Sequence, residues 1–552
     1  MPKFKLTGYI KKILCALGIA TGLLAAPIHT AVADTAETSL FYANVMTFYI
    51  NHPLSGVTEV PFNGRIYLYG TFSSSSSDSF GIYRVATDGT GSQTLYQFTD
   101  DDGVSPTANL MFGADGRLYG LTRFGVKVGR NTAAGSGTIY SIDQDGKTYT
   151  TLHSFDALAK QTDASTGVSF LANNEGAMNT ALPAVLTADW FDGSGFQLPA
   201  PQQLIEAGDG FVYGVAPAGG ANGTGTIFRM RRDGTNFQVL HTFAGINYLT
   251  GFTKSGTHDG AFPSSSLQLD IDSGYLYGVT RYGGDSGNGT VYRLQPDGTG
   301  FQTIYSFEPS NGWISGVPAG GVTDTSNCHG ALPIGRPVIA NGILFGTASR
   351  GGNDSANCDG NSTGDGHGYG LIYGIKLSDI PPSDVVDYFK VINVHNFDGT
   401  NGSFPFGDLV LSSDGALIYG ESSDATGRGA VFSIDTNNLK SGFNLGFTFA
   451  NSTVAGPTGT FFLARDGNFY GVAQQGGECA NASGAVYQLR QANSPPQQGY
   501  VNCVNPYAGS SSDSIYGGGG GAMDILLLTV LSALGFGPPA RRRYVAWRAR
   551  KF

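Results

Sequence analysis

Short runs of β-branched and aromatic residues, bounded by glycine, recur along this chain. Tyr275-Leu276-Tyr277-Gly278-Val279 is followed by Thr290-Val291-Tyr292-Arg293-Leu294 and then by Ile304-Tyr305-Ser306-Phe307. No helical period of apolar positions survives in them, so they predict strands. Asp297-Gly298-Thr299 separates the last two runs, and Asp88-Gly89-Thr90, Asp145-Gly146 and Asp233-Gly234-Thr235 match it. Asp-Gly tolerates the positive φ of a tight hairpin turn. A second set of turns, Asp115-Gly116, Asp209-Gly210, Asp414-Gly415 and Asp466-Gly467, precedes the Tyr-Gly strand. Each unit therefore predicts four strands, the innermost following a proline as in Pro263-Ser264-Ser265-Ser266-Leu267.

The unit centred on Gly278 returns at Gly120 and Gly214, and more loosely at Gly70, Gly346, Gly420 and Gly471. Self-similarity at a period of about 50 residues belongs to propellers and arrays. Four antiparallel strands repeated seven times predict an all-β fold, a seven-bladed β-propeller. One unit cannot bury both faces of its sheet, so neighbours must supply the core. The seventh copy stops after Val486-Tyr487-Gln488-Leu489 and lacks an outer strand. Residues 41–48 have the character of an orphan outer strand, with Met46-Thr47-Phe48 matching Tyr305-Ser306-Phe307. Pairing the two closes the ring and removes the exposed edge; the alternative is an open solenoid.

The ends have a different composition. Residues 1–33 carry Lys3, Lys5, Lys11 and Lys12, an apolar stretch from Ile13 to Ala26, and Ala31-Val32-Ala33, the pattern of a secretory signal peptide. The propeller is expected over 34–490 and a Ser/Pro-rich linker over 491–516. Residues 517–552 run from Gly517–Gly521 through apolar Ile525–Phe536 to Arg541-Arg542-Arg543, Arg548, Arg550 and Lys551. Basic residues after an apolar segment favour a cytoplasmic end. About a dozen apolar residues span about 20 Å as helix, short of a roughly 30 Å hydrocarbon core, and flanking Gly and Ala bring the segment near 20 residues. The order polyglycine, apolar segment, arginine cluster resembles the GlyGly-CTERM sorting tail of Gram-negative bacteria. That resemblance implies cleavage by a rhomboid-type protease and release or attachment at the cell surface; a permanent tail anchor is the alternative.

Charge narrows the partners. The chain has 32 basic and 42 acidic side chains; without 1–33 and 522–552, 22 and 41 remain, a net charge of about −19. Such a body repels phosphate backbones, which argues against nucleic acid. Cys15 leaves with the signal, and Cys328, Cys358, Cys479 and Cys503 remain. An even count in an exported chain favours disulfides. Sequence proximity favours Cys328–Cys358 and Cys479–Cys503 among three possible pairings. Zinc is the poorer alternative, since no close CxxC pairs are present.

The expected strand order sends the Asp-Gly turns to one face and the remaining connections to the other. The long segments 157–200, 245–260, 308–330 and 351–367 belong to this second face, and loops of that length are uncommon unless functional or disordered. Trp190, Asp192, Asp259, Trp313 and His329 are the candidate ligand-binding residues there, the tryptophans being able to stack on sugar rings. Asp102, Asp192, Asp259 and Glu308 are the carboxylates from which a glycosidase pair would have to come. His258 and His329 flank Gly-x-x-Pro turns without a companion nucleophile. His153, His241 and His395 share one repeat position with Tyr96 and Tyr305, which reads as packing. Asp354, Asp359, Asn361 and Asp365 form an oxygen-rich stretch that calcium could use, though not at EF-hand spacing. The glycine clusters 283–289 and 219–225 lack the lysine and following helix of a phosphate loop. No other metal or cofactor is expected.

The pattern LYG-x-T-x-x-GG…G-T-V-[FY]-x-L…DG…L-H-S-F, carried best by 116–155, 210–243 and 274–307, resembles the GloVer repeat of bacterial choice-of-anchor exported proteins. The copies around Gly346, Gly420 and Gly471 depart from it by losing the threonine and parts of the GG turn. The resemblance implies an exported, surface-displayed or released propeller and supplies no catalytic residues. Three functions are open: a scaffold binding extracellular polysaccharide or surface protein, an extracellular carbohydrate-active hydrolase or lyase, and a structural envelope component. A fold alone does not choose among them.

Overall fold

The computed structural model describes residues 41–44, 53–73, 80–99, 101–106, 108–125, 135–164, 167, 169–178, 203–246, 258–285, 287–307, 330–352, 368–381, 391–424, 426–450, 452, 454–458, 461–476 and 484–491. Residues 1–33, expected as a signal, residues 492–552, expected as linker and sorting tail, Met46-Thr47-Phe48 and Cys328, Cys358, Cys479 and Cys503 lie outside these residues, while Gln491, expected to open the linker, belongs to a strand. Seven antiparallel sheets carry the repeat, each with its strands side by side in chain order. Blade 4 shows the pattern: an inner strand in two pieces, Gly260–Pro263 and Gln268–Leu269, then Leu276–Gly283, Thr290–Leu294 and Gln302–Ser306. The second and third strands of the other blades are Arg65–Ser73 and Phe80–Ala86, Arg117–Phe124 and Thr138–Asp143, and Phe211–Ala216 and Thr226–Arg231 in blades 1 to 3. In blades 5 to 7 they are Ile343–Arg350 and Leu371–Lys376, Leu417–Ser423 and Ala430–Asp435, and Phe469–Gly476 and Ala485–Gln491. The inner strand thus begins before the proline and contains it, where the sequence pattern placed it after. Proline fits because the inner strand is a sheet edge and needs no outward N–H partner.

Blade 7 borrows its outer strand. Phe41–Asn44 pairs antiparallel with Ala485–Gln491, Phe41 opposite Gln491 and Asn44 opposite Gln488. Side chains close the same seam elsewhere: Val57, Leu68, Phe72, Tyr83 and Val85 of blade 1 pack with Ala464, Tyr470, Val472 and Val486 of blade 7. The Tyr470 hydroxyl, bonded to Asp466 Oδ2 at 2.7 Å, also reaches the Thr87 carbonyl of blade 1 at 3.3 Å. A comparable apolar cluster fills each of the other six seams. Seven closed seams make a ring and exclude an open solenoid.

The Tyr-Gly pair has a steric cause. The third-strand aromatic lies directly over the glycine: Tyr83 over Gly70, Tyr140 over Gly120, Phe228 over Gly214, Tyr292 over Gly278, Tyr373 over Gly346, Phe432 over Gly420 and Tyr487 over Gly471. Three of these rings share a cluster with the valine that follows the Tyr-Gly pair of the preceding blade: Tyr83 with Val472, Tyr292 with Val215 and Tyr373 with Val279. Between blades 6 and 7 the residue at that position is Glu421, and the Tyr487 hydroxyl donates to its carboxylate. The Asp-Gly turns behave as expected: Asp297 Oδ1 accepts the Thr299 N–H at 2.9 Å and its hydroxyl at 2.6 Å, and Gly298 has φ +89°.

Candidate functional site on the long-connection face

Connections between second and third strands, and between blades, leave the ring at one end because every sheet is antiparallel in the same order. Two departures qualify the expectation. In blade 5 the third and fourth strands, Leu371–Lys376 and Ile392–Asn396, are joined by residues 377–391, so one long connection leaves by the opposite end. It starts with a single 3-10 turn, Leu377–Asp379, in place of an Asp-Gly hairpin. The segment 157–200 is also not one insertion. An exposed hairpin of Ala159–Thr162 and Ser169–Ala172 stands between blades 2 and 3. Glu175-Gly176-Ala177-Met178 then matches Asp259-Gly260-Ala261-Phe262, Ala177 bridging to Ala218. The inner-strand positions of blade 3 are thus held by Gly176-Ala177-Met178 and, further along the chain, by Ile205–Glu206 paired with Phe211–Ala216; Trp190 and Asp192 lie outside the described residues. Gln203 donates its N–H to Ser266 Oγ of blade 4 at 2.7 Å and its amide to the Leu110 carbonyl of blade 2 at 3.0 Å.

A repeated latch joins consecutive blades on this face. The outer strand carries a one-residue bulge, as between Val291 and Tyr292 opposite Tyr305 and Thr303, which turns its ring toward the next blade. In blade 3 the ring is His241, stacked on Phe301 of blade 4 at 3.5 Å between centroids and edge-on to Phe243 at 5.0 Å. Its Nε2 donates to Asp259 Oδ2 at 3.0 Å, an oxygen that also accepts the Ala244 N–H at 2.9 Å. In blade 2, His153 stacks on Phe237 at 3.8 Å and bonds Glu175 at 3.2 Å. In blade 1, Tyr96 donates to Asp102 Oδ2 at 2.8 Å. Asp259, proposed above for ligand binding, and Asp102, proposed among the glycosidase carboxylates, thus sit buried in equivalent structural bonds. The glycine after the carboxylate is equally constrained: a Cβ on Gly260 would fall 2.1 Å from Thr280 Oγ1, itself paired with Thr290 Oγ1 at 2.8 Å.

Blade 5 alters the latch. His395 stacks on Phe443 at 3.4 Å, but Asn401 replaces the carboxylate. Burial pushes the His395 imidazole down to about 4, and the neighbouring Asn401 side chain and the Asp398 charge oppose this only in part. The folded state therefore favours neutral His395. Its contribution is intact above the unfolded value near 6.5 and is lost as pH falls toward 4. The full loss is about 3 kcal/mol or less. His395→Tyr, the residue of blades 1 and 4 at this position, should lower the difference between urea midpoints at pH 7 and pH 4; an unchanged difference refutes this origin.

His258 stands apart from the latch. It is exposed, has φ +48°, and places Nδ1 2.5 Å from Asp285 Oδ1. Trp190, Asp192, Trp313, His329, Glu308 and the oxygen-rich stretch 354–365 lie outside the described residues, so no geometry joins them to Asp259. Among the described residues no group of three metal-ligating side chains occurs, and no helix is long and apolar enough to cross a membrane.

A known repeat family matches the part of the chain that carries blades 3 and 4. The Gloeobacter/Verrucomicrobia repeat matches residues 172–360. No curated protein matches the chain significantly. Among solved structures, an oligogalacturonate lyase from Vibrio parahaemolyticus is 9% identical, with TM-score 0.41, over 82% of this chain and 92% of that one. A puromycin-hydrolyzing peptidase of Mycobacterium tuberculosis is 9% identical, with TM-score 0.41, over 85% and 54%. An α-L-arabinofuranosidase of Fusarium graminearum is 11% identical, with TM-score 0.37, over 82% and 98%. Likeness at this level carries no argument about activity.

Proposed function

We propose that this chain is an exported scaffold, displayed at the cell surface or released, whose long-connection face binds an extracellular polysaccharide or a surface protein. One observation carries the reading: the seams and latches repeat with little change, while the connections on this face vary in length and chemistry. A rigid ring holding variable loops is a common arrangement for recognition. The histidines and carboxylates of the latches, His153 with Glu175 and His241 with Asp259, are engaged in holding blades together. The signal-like start and the Gly-rich, apolar, Arg-rich end support export and sorting by a rhomboid-type protease. The tail is then the chain's membrane contact before processing.

The secreted protein should bind selected polysaccharides on a glycan array without releasing reducing sugar from them. Release abolished by Asp192→Asn or Glu308→Gln would overturn the scaffold reading in favour of a hydrolase or lyase. Binding to no glycan and to no protein of the cell surface would leave a structural envelope role.

A further inference from the structure

Blades 3, 4 and 5 build one corner of this face from the same backbone and different side chains. The connection between second and third strands ends in Gly223-Thr224-Gly225, Gly287-Asn288-Gly289 and Gly368-Tyr369-Gly370 respectively. The carbonyls of Thr224, Asn288 and Tyr369 accept the N–H of Phe262, Leu332 and Phe404, each the residue before the next blade's proline and each at positive φ. The fold thus uses the carbonyl of the central residue and leaves its side chain to vary. Thr224 and Asn288 are buried, whereas Tyr369 is 39% exposed.

The tyrosine is held as a ledge. One face of its ring lies on Gly399, where a Cβ would come within 3.2 Å. The turn beneath is fixed by Asp398 Oδ1, which accepts the N–H groups of Thr400 at 2.8 Å and Asn401 at 2.9 Å and the Thr400 hydroxyl at 2.8 Å. Phe404 stands beside it, ring centroids 5.8 Å apart and tilted by 47°. Phe262 and Leu332, its counterparts, are buried in an apolar cluster; Phe404 is partly exposed. A phenylalanine at φ +47° is an uncommon conformation, retained here with its ring reaching the surface. The Arg350 guanidinium lies 4.2 Å over the Phe404 ring.

We propose that Tyr369 and Phe404 form a stacking platform for a neutral hexopyranose within a polysaccharide. This rests on the scaffold reading above and names the sugar class for one corner of the same face. An aromatic pair tilted by 47° and set on a turn whose Asp398 and Thr400 are exposed matches a pyranose, whose C–H face is apolar and whose rim is polar. Charge favours a neutral sugar over a uronate. Although burial opposes it, bonds from Asn401 and Thr400 hold the Asp398 carboxyl below its ordinary range, so it is ionised beside the ledge. The chain as a whole carries −10. Arg350 is engaged with the Phe404 ring.

The test is calorimetric titration of the secreted protein with two probes, cellohexaose and an oligogalacturonate of equal length. Cellohexaose should bind, Tyr369→Ala should weaken it at least tenfold with an unchanged melting temperature, and Tyr369→Trp should retain it. Phe404→Gly, which suits the positive φ while removing the ring, should also weaken it. Cellohexaose binding unaffected by Tyr369→Ala and Phe404→Gly overturns the platform while leaving the scaffold reading intact, and loss in Trp190→Ala/Trp313→Ala would place that binding elsewhere. Preference for the oligogalacturonate, or no binding of cellohexaose, also overturns it; glycan-array binding would then show whether the scaffold reading fails too.

Discussion

Gly278→Ala should cost this protein roughly 3 kcal/mol or more, at the upper end of overpacking effects, for the addition of one methyl group. The added carbon would lie 2.3 Å from Tyr292 Oη and 2.5 Å from Cζ. Tyr292 is fully buried between blades 3 and 4, so its ring has no open space to move into. The backbone at Gly278 is not in the left-handed region, and alanine is conformationally acceptable there. Space alone forbids it. Gly274→Ala, at φ +76° with no atom within 4 Å of the new carbon, isolates the opposite cause. It should cost about 1–2 kcal/mol, the left-handed penalty of an ordinary residue. Denaturant midpoints measure both. The double variant Gly278→Ala/Tyr292→Leu should recover part of the loss, whereas Gly274→Ala/Tyr292→Leu should show simple additivity. Additivity in both pairs would refute the steric account.

That steric rule explains why the blades were legible. A ring pressed on a glycine repeats as Tyr-Gly followed by Gly-Thr-x-Tyr, and the Asp-Gly turns need positive φ at a fixed place. These are local demands, and local demands leave local patterns. The latch is different. Asp259 answers His241 across a blade boundary, so as an isolated acidic residue it read as chemistry. The signal was present all the same: an acidic or amide residue before Gly-x-x-Pro tracks a ring on the preceding outer strand, as Asp102 tracks Tyr96 and Asn401 tracks His395. Connection 377–391 escaped notice because nothing in Pro381 and its neighbours says which face a loop leaves by; only the pairing of Leu371–Lys376 with Ile392–Asn396 does. Residues 157–200 read as one connection between blades because Glu175-Gly176-Ala177-Met178 lacks the proline that marks the other inner strands. Tyr369 and Phe404 left no trace, since exposure is a property of the assembled corner.

Removal of the first strand should open the ring at its seam without unfolding it. A chain beginning at residue 45 lacks Phe41–Asn44 and leaves the outer edge of Ala485–Gln491 unpaired. The inner part of the seam survives, because Tyr83, Val85, Tyr470 and Val486 still pack and Tyr470 still reaches Thr87. The expected result is a folded protein with a lower melting temperature and concentration-dependent self-association, the usual fate of an exposed edge strand. Light scattering after size exclusion would show the association, and a thermal scan the loss. A synthetic peptide of residues 34–48 added in trans should reverse both, because the vacated position is defined by backbone register, Phe41 opposite Gln491. A peptide of the same composition in scrambled order should not. If the truncated chain stays monomeric with an unchanged melting temperature, the strand is an ornament on a ring that the seam clusters already close. If it unfolds outright, blade 7 depends on this strand for its existence, and the seven seams are not equal in strength.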